Sequence, residues 1–241
     1  MERRNFLQLS ATSAMAVAIA PSLITQKLHA EDGTLFKTYE KVQLKDAEGN
    51  PLKASALVEE ENYIFSYPYA GTPAIMVNLK EAATSDVELV AEDGTKYLCK
   101  GGVGSKGTIV AYSAICAHQM TYPKKDMAMF QYVPSTGKTL AYEHAGIFVC
   151  SSHLAAYDAK QGGKVLGGPA NQGLAQIILE VDADDTIWAV AVLGPDKFED
   201  FFSAFKKDLK KEFGRKGAKK LMKTEAKVQE LKNFTAQLIQ A

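Results

Sequence analysis

Cysteine and histidine are scarce in this chain of 241 residues, with three of the first and four of the second. An odd number of cysteines cannot all pair, so the fold does not rest on a set of disulfides alone. Excess charge is missing as well. Lys and Arg number 28 and Asp and Glu number 28, which removes any argument for a nucleic-acid partner. The zero is uneven, because residues 196–241 hold 12 basic and 7 acidic side chains. There is one tryptophan, Trp188, which reads as a core residue and not as a cofactor platform. No nucleophile-and-base constellation and no substrate pocket can be read anywhere, so the chain is not expected to be an enzyme by itself. The glycine-rich stretch 101–107 does not open a helix after a strand, as a phosphate loop would, and reads as a flexible turn.

Most of the sparse histidines and cysteines are concentrated in two short loops. The first is Cys116-Ala117-His118 and the second is Cys150-Ser151-Ser152-His153. Two Cys and two His can hold zinc in a tetrahedron. They can also hold a [2Fe–2S] cluster with two thiolates on one iron and two imidazoles on the other. Spacing separates the two. A zinc finger usually takes both Cys from one motif and both His from another, whereas here each loop offers one of each. That suits two irons side by side, each taking one ligand from each loop. Cys99 is left over and reads as a small, half-buried strand residue.

The flanks narrow the choice. An apolar run, 107–115, leads into Cys116. After His153 come Tyr157-Asp158, Gly162-Gly163 and Gly168-Pro169-Ala170, with Leu174 opening another strand. In this order these features resemble the Rieske iron–sulfur protein family over residues 107–182. The resemblance implies one [2Fe–2S] cluster, with Cys116 and Cys150 on one iron and His118 and His153 on the other. It also implies that Tyr157 donates to a ligand thiolate and that Pro169 shields the cluster from the side. Departures from the family pattern are informative. Its high-potential members carry a second cysteine in each loop and join the two. Thr121 or its neighbours and Ser152 stand there here, so that disulfide is absent. Leu154-Ala155 replaces the Gly-Ser that usually follows the second His, which removes a hydroxyl donor to a bridging sulfide. Fewer hydrogen bonds to sulfur favour the oxidised cluster. The expected potential is therefore below that of the cytochrome bc1 type, within a family range of about −150 to +300 mV. A redox titration near the top of that range would refute this. The stretch 119–149 between the loops is roughly twice the family's usual length. It must lie near the cluster, which makes it a candidate for choosing the partner. It holds His144, which reads as a plain surface histidine.

Residues 1–30 read as a twin-arginine signal. Arg3-Arg4-Asn5-Phe6-Leu7 precedes an uncharged, alanine-rich run to about Gln26. That run is close to the roughly 20 residues needed to span a bilayer, so an uncleaved membrane anchor is an equal expectation. Export of a folded, cluster-loaded protein to the periplasm suits such a signal. Residues 34–194 read as an all-β Rieske-like domain of antiparallel sheets with a cluster-binding subdomain. Strands are expected near 36–44, 62–68, 74–79 and 107–115. Hairpins are expected around Asp93-Gly94 and Asp184-Asp185. From 196 to 241 the period changes. Phe198, Phe201, Phe202, Phe205, Leu209 and Phe213 mark one helical face, and a second helical run is expected over 218–239. This basic helical tail either packs on its own domain or docks a partner or a membrane surface.

Three functions compete. The first is the iron–sulfur subunit of a periplasmic respiratory complex, of the quinol:cytochrome reductase type or like the small subunit of arsenite oxidase. Its partners would be a redox subunit, a c-type cytochrome or quinol. The second, a Rieske oxygenase, needs a further iron site with histidines downstream, and no histidine follows His153. The third is a zinc-stapled structural or binding module.

Overall fold

The computed structural model describes residues 35–240. Residues 1–30, which the sequence suggests are a twin-arginine signal, lie outside the described residues. Among the described residues no helix is long and apolar enough to cross a membrane.

Strand β1 (Phe36–Lys45) is followed by β2 (Tyr63–Ser66), β3 (Pro73–Asn78), β4 (Glu88–Val90) and β5 (Lys96–Leu98). Then come β6 (Ile109–Ser113), β7 (Phe130–Val133), β8 (Ile147–Cys150), β9 (Ala155–Asp158) and β10 (Lys164–Gly167). The expected last hairpin is β11 (Gln176–Val181) with β12 (Ile187–Leu193). Helices α1 (Phe198–Ala204) and α2 (Lys206–Gly217) lead to β13 (Glu225–Lys227), β14 (Gln229–Glu230) and the short α3 (Leu231–Phe234). Among the described residues, one sheet has the order β13-β1-β12-β11-β6-β3-β2-β14, a second is β10-β9-β8-β7, and β4-β5 form a separate hairpin.

Side-chain alternation explains how the two sheets meet. On β3, Ala74 and Met76 point into one core while Ile75 and Val77 point into another. On β6, Ile109 and Ala111 share the first core, and Val110 and Tyr112 the second. Both faces of these strands are covered, which is why they read as unbroken apolar runs. The second core lies between the large sheet and the four-stranded sheet. It contains Phe130, Phe148, Tyr157, Cys116 and Cys150. The smaller sheet is the subdomain that carries the second loop.

The helical tail expected over 196–241 has its two longer helices in its first half, and beyond Gly217 only the four-residue α3 is helical. The phenylalanine face packs on its own domain, with Phe198, Phe201, Phe202 and Leu209 buried in the first core. Beyond Gly217 the expected second helix is replaced by strands. β13 pairs with β1 and β14 with β2, and these are the two edges of the large sheet. Only Val228 separates β13 from β14. The sheet curls until its edges are bridged by consecutive residues. Those edges offer unpaired N–H and C=O groups, a stronger demand than local helix preference. The 3–4 spacing of Val228, Leu231, Phe234 and Leu238 comes instead from separate contacts with both cores.

Two smaller expectations also change. Trp188 is partly exposed on β12, donating from Nε1 to Asp182 at 2.8 Å with Lys41 over its ring, so it is not a core residue. Cys99 is fully buried just after β5, its Sγ 3.4 Å from the Thr84 carbonyl.

Candidate metal centre

Each loop is shaped before any ligand is considered. The first leaves β6 and closes on itself: the Cys116 N–H donates to the Thr121 carbonyl at 2.9 Å, and the Met120 N–H returns to the Cys116 carbonyl at 2.9 Å. The second is the β8–β9 hairpin turn, where Cys150 and Ala155 face each other across the ladder. Residues 151–154 make the turn. Met120 and Leu154 both have φ 57°, the left-handed region that an L side chain enters only at a cost. Each follows closely after the histidine of its loop.

The four predicted ligands come together as two like pairs. Cys116 and Cys150 are buried at the base, close enough that each shifts the other's titration. His118 and His153 stand together above them, ring centroids 4.9 Å apart and planes at 89°. His153 is exposed and His118 half-buried. Among the described residues no three His, Cys, Asp or Glu side chains close around a single point. His118 Nδ1 is buried with no hydrogen-bond partner. Burying such a nitrogen unpaired costs free energy, and a metal bond removes that cost. The donor set therefore fits a two-iron cluster, with a buried sulfur side and an outer nitrogen side.

Electrostatics at the sulfur side agree. The Cys116 thiol is lowered to about 6, chiefly by the hydrogen bond with Cys150, with burial opposing. Tyr157 and the N–H groups of His118 and Gln119 lower it further. Cys150 is pushed up, first by its hydrogen bond with Cys116 and then by burial. A bound cation between two such thiols would favour the thiolate form of both. Tyr157 Oη lies 3.2 Å from Cys116 Sγ. Burial raises the Tyr157 phenol far above its ordinary value, so Tyr157 keeps its proton and donates to the sulfur.

The Gly168-Pro169-Ala170 loop lies against the second loop. A Cβ on Gly168, whose φ is 82°, would stand 2.4 Å from the Leu154 carbonyl oxygen and 2.6 Å from the Ala155 Cα. Pro169 beside it is exposed. His144 sits on the exposed stretch 134–146, its ring packed edge-on against Tyr142. That is the surface histidine the sequence suggested.

Several contributors went unread in the sequence. The Thr121 side chain lowers the Cys150 thiol, against the larger raising effects of Cys116 and burial. Its place five residues after Cys116 was the only signal. Tyr122 packs edge-on against Phe201 at 4.8 Å and Phe205 at 5.0 Å, so the helices hold the exit of the first loop. The stretch 119–149 is not a free appendage, since it includes β7, with Phe130 and Tyr132 buried.

Comparison with known proteins follows the same line. A family model described as "Rieske [2Fe-2S] domain" matches residues 77–178. Iodate reductase subunit IdrB of Pseudomonas sp. (strain SCT) is 30% identical over 198 residues, covering 80% of each chain. The protein of the same name from Denitromonas iodatirespirans is 31% identical over 199 residues, covering 80% of this chain and 82% of that one. Among solved structures, the soluble domain of the Rieske protein II from Sulfolobus acidocaldarius has a TM-score of 0.40 at 23% identity, covering 61% of this chain and 83% of that one.

Proposed function

This chain belongs to the Rieske [2Fe–2S] domain family, and from that premise we propose that it is the electron-transfer subunit of a periplasmic respiratory oxidoreductase. When bound, the cluster takes up and releases one electron at a time. Cys116 and Cys150 would hold one iron, and His118 and His153 the other. The observation that carries this reading is the segregation of the four side chains. Two thiols are buried and paired, two imidazoles lie outside them, and a buried His118 Nδ1 has no other partner.

The protein's own residues do three things around the site. Phe130, Phe148 and Tyr112 pack beneath it and keep water from the sulfurs. Tyr157, Thr121 and the N–H groups of His118, Gln119 and Ser152 supply hydrogen bonds to the thiolates. The exposed His153 ring presents an edge to a partner.

The partner we propose is a catalytic subunit to which this chain passes electrons, by analogy with relatives named as iodate reductase subunits. This favours the arrangement in which a Rieske chain is the small subunit of an enzyme over that of a quinol:cytochrome reductase. Export by the twin-arginine signal in residues 1–30 belongs to the same proposal, and the mass of the chain recovered from a periplasmic fraction tests whether that segment is cleaved.

Low-temperature EPR of the purified, reduced protein is the decisive experiment. The expected result is a rhombic signal typical of mixed His and Cys ligation, lost in Cys116→Ser and His153→Ala. A silent spectrum with stoichiometric zinc would replace this function with that of a zinc-stapled module.

A further inference from the structure

The last of the described residues lie against the centre. Residues 235–240 run beside the stretch that follows the first loop. The Ala236 N–H donates to the Lys125 carbonyl at 2.7 Å, the Ala128 N–H to the Gln237 carbonyl at 2.8 Å, and the Ile239 N–H to the Ala128 carbonyl at 2.9 Å. Ala128 and Leu238 form a parallel bridge. Phe234 and Leu238 pack against the core that contains Cys116 and Cys150.

The strap ends at one acceptor with two donors. The Ile239 carbonyl oxygen receives Gln131 Nε2 at 2.8 Å and Ser151 Oγ at 2.7 Å. A carbonyl has two lone pairs, so its capacity is filled. Gln131 is a buried residue of β7, and Ser151 stands between Cys150 and His153. The Ser151 N–H is held as well, by the Met129 carbonyl at 2.7 Å. All three cysteines among the described residues are free thiols, so no disulfide fixes the two loops to each other. The second loop is a four-residue turn containing one left-handed residue, Leu154, and its outer half is exposed.

We propose that the C-terminal strap is a positioning device for the metal centre, in which the Ile239 carbonyl holds Ser151 and so fixes where Cys150 and His153 stand. Ser151 is then a positioning residue that reaches the irons only through its neighbours. The inference rests on the electron-transfer function proposed above. It gives the C-terminal residues a role in the centre although 88 positions separate Ser151 from Ile239. Hydrogen bonds to the strap do here what a covalent link between loops would do elsewhere.

The test compares the full-length holoprotein with Ser151→Ala, Ser151→Thr and a chain ending at Thr235. Three readouts are taken: EPR g values and line width, the rate of cluster bleaching under a chelator, and the thermal unfolding midpoint. Ser151→Ala is expected to broaden or shift the signal and to bleach about fivefold faster, the size of one lost neutral hydrogen bond. Ser151→Thr keeps the hydroxyl and is expected to match the parent, which separates the contact from a general loss of fold. The truncated chain is expected to bleach faster than Ser151→Ala. A normal signal in the parent with an identical signal and bleaching rate in Ser151→Ala would overturn the strap proposal alone. So would a lower unfolding midpoint with an unchanged line shape. A parent with no such signal would overturn both this proposal and the electron-transfer function.

Discussion

At the scale of single residues, the centre is set by what each sulfur accepts. Tyr157 Oη lies 3.2 Å from the Cys116 thiol, and Thr121 lowers the Cys150 thiol. A hydrogen bond to sulfur stabilises the more negative, reduced state and raises the potential. Tyr157→Phe and Thr121→Val are each expected to lower it, by about 40 mV if one hydrogen bond is worth about 1 kcal/mol and 59 mV is a tenfold change for one electron. Protein-film voltammetry reads this directly, and an unchanged potential in both variants would remove the argument. Thr121 also qualifies the expectation drawn from Ala155: the hydroxyl missing after His153 is partly offset by one in the other loop. Glu60 shows the same economy away from the centre. Burial opposes its charge, but hydrogen bonds from the Ser135 N–H, Lys80, Tyr132 and the Ser135 hydroxyl outweigh burial and hold it below the ordinary 4.5. A carboxyl depressed in the folded state stabilises above its unfolded value and loses that contribution as pH falls through the folded one. Glu60→Gln should therefore lower the unfolding midpoint near neutral pH and narrow the gap to the parent in acid.

Among the elements, the second loop depends on its neighbours more than on itself. Gly168 is required on two counts: its φ is 82°, and a Cβ there would overlap the backbone of Leu154 and Ala155. Gly168→Ala should push that backbone aside, weaken cluster retention and leave the large sheet intact. Loss of the EPR signal with a nearly unchanged far-ultraviolet CD spectrum is the expected pair of results. The first loop is supported from the other side by α1 and α2. Phe201 is fully buried and touches Tyr122. Phe201→Ala should cost about 3–5 kcal/mol of stability, far more than breaking the exposed Lys124–Asp208 pair at 2.9 Å, which is worth about 0–1 kcal/mol. Denaturant titration of the two variants separates these magnitudes.

Over the whole molecule, the C-terminal stretch from residue 196 is where local pattern and fold part company. The phenylalanine repeat of 198–213 is a strong helical period and forms helices. The weaker period of 218–239 yields to the two open sheet edges, because closing them satisfies backbone groups that a helix there would leave unpaired. Strands β1, β2, β3, β6, β11 and β12 were legible because each alternates or runs apolar between turn residues. The four candidate ligands were legible because cysteine and histidine are so few, and because C-x-H and C-x-x-H put one of each in a loop. Spacing along the chain could not show that thiol would face thiol and imidazole face imidazole, since that depends on how β6 of one sheet meets β8 of the other. It also could not show that Tyr157 reaches Cys116, that Tyr122 rests on Phe201, or that Ile239 holds Ser151. Each of those contacts joins segments distant in sequence, and only the packing of the two sheets and the return of the C-terminal strap bring them within a hydrogen bond. The order of residues along the chain was enough to single out four candidate metal ligands and the strands that lead to them. How the sulfurs are buried, which ring is exposed and what holds each loop in place follow from contacts between segments far apart in the chain.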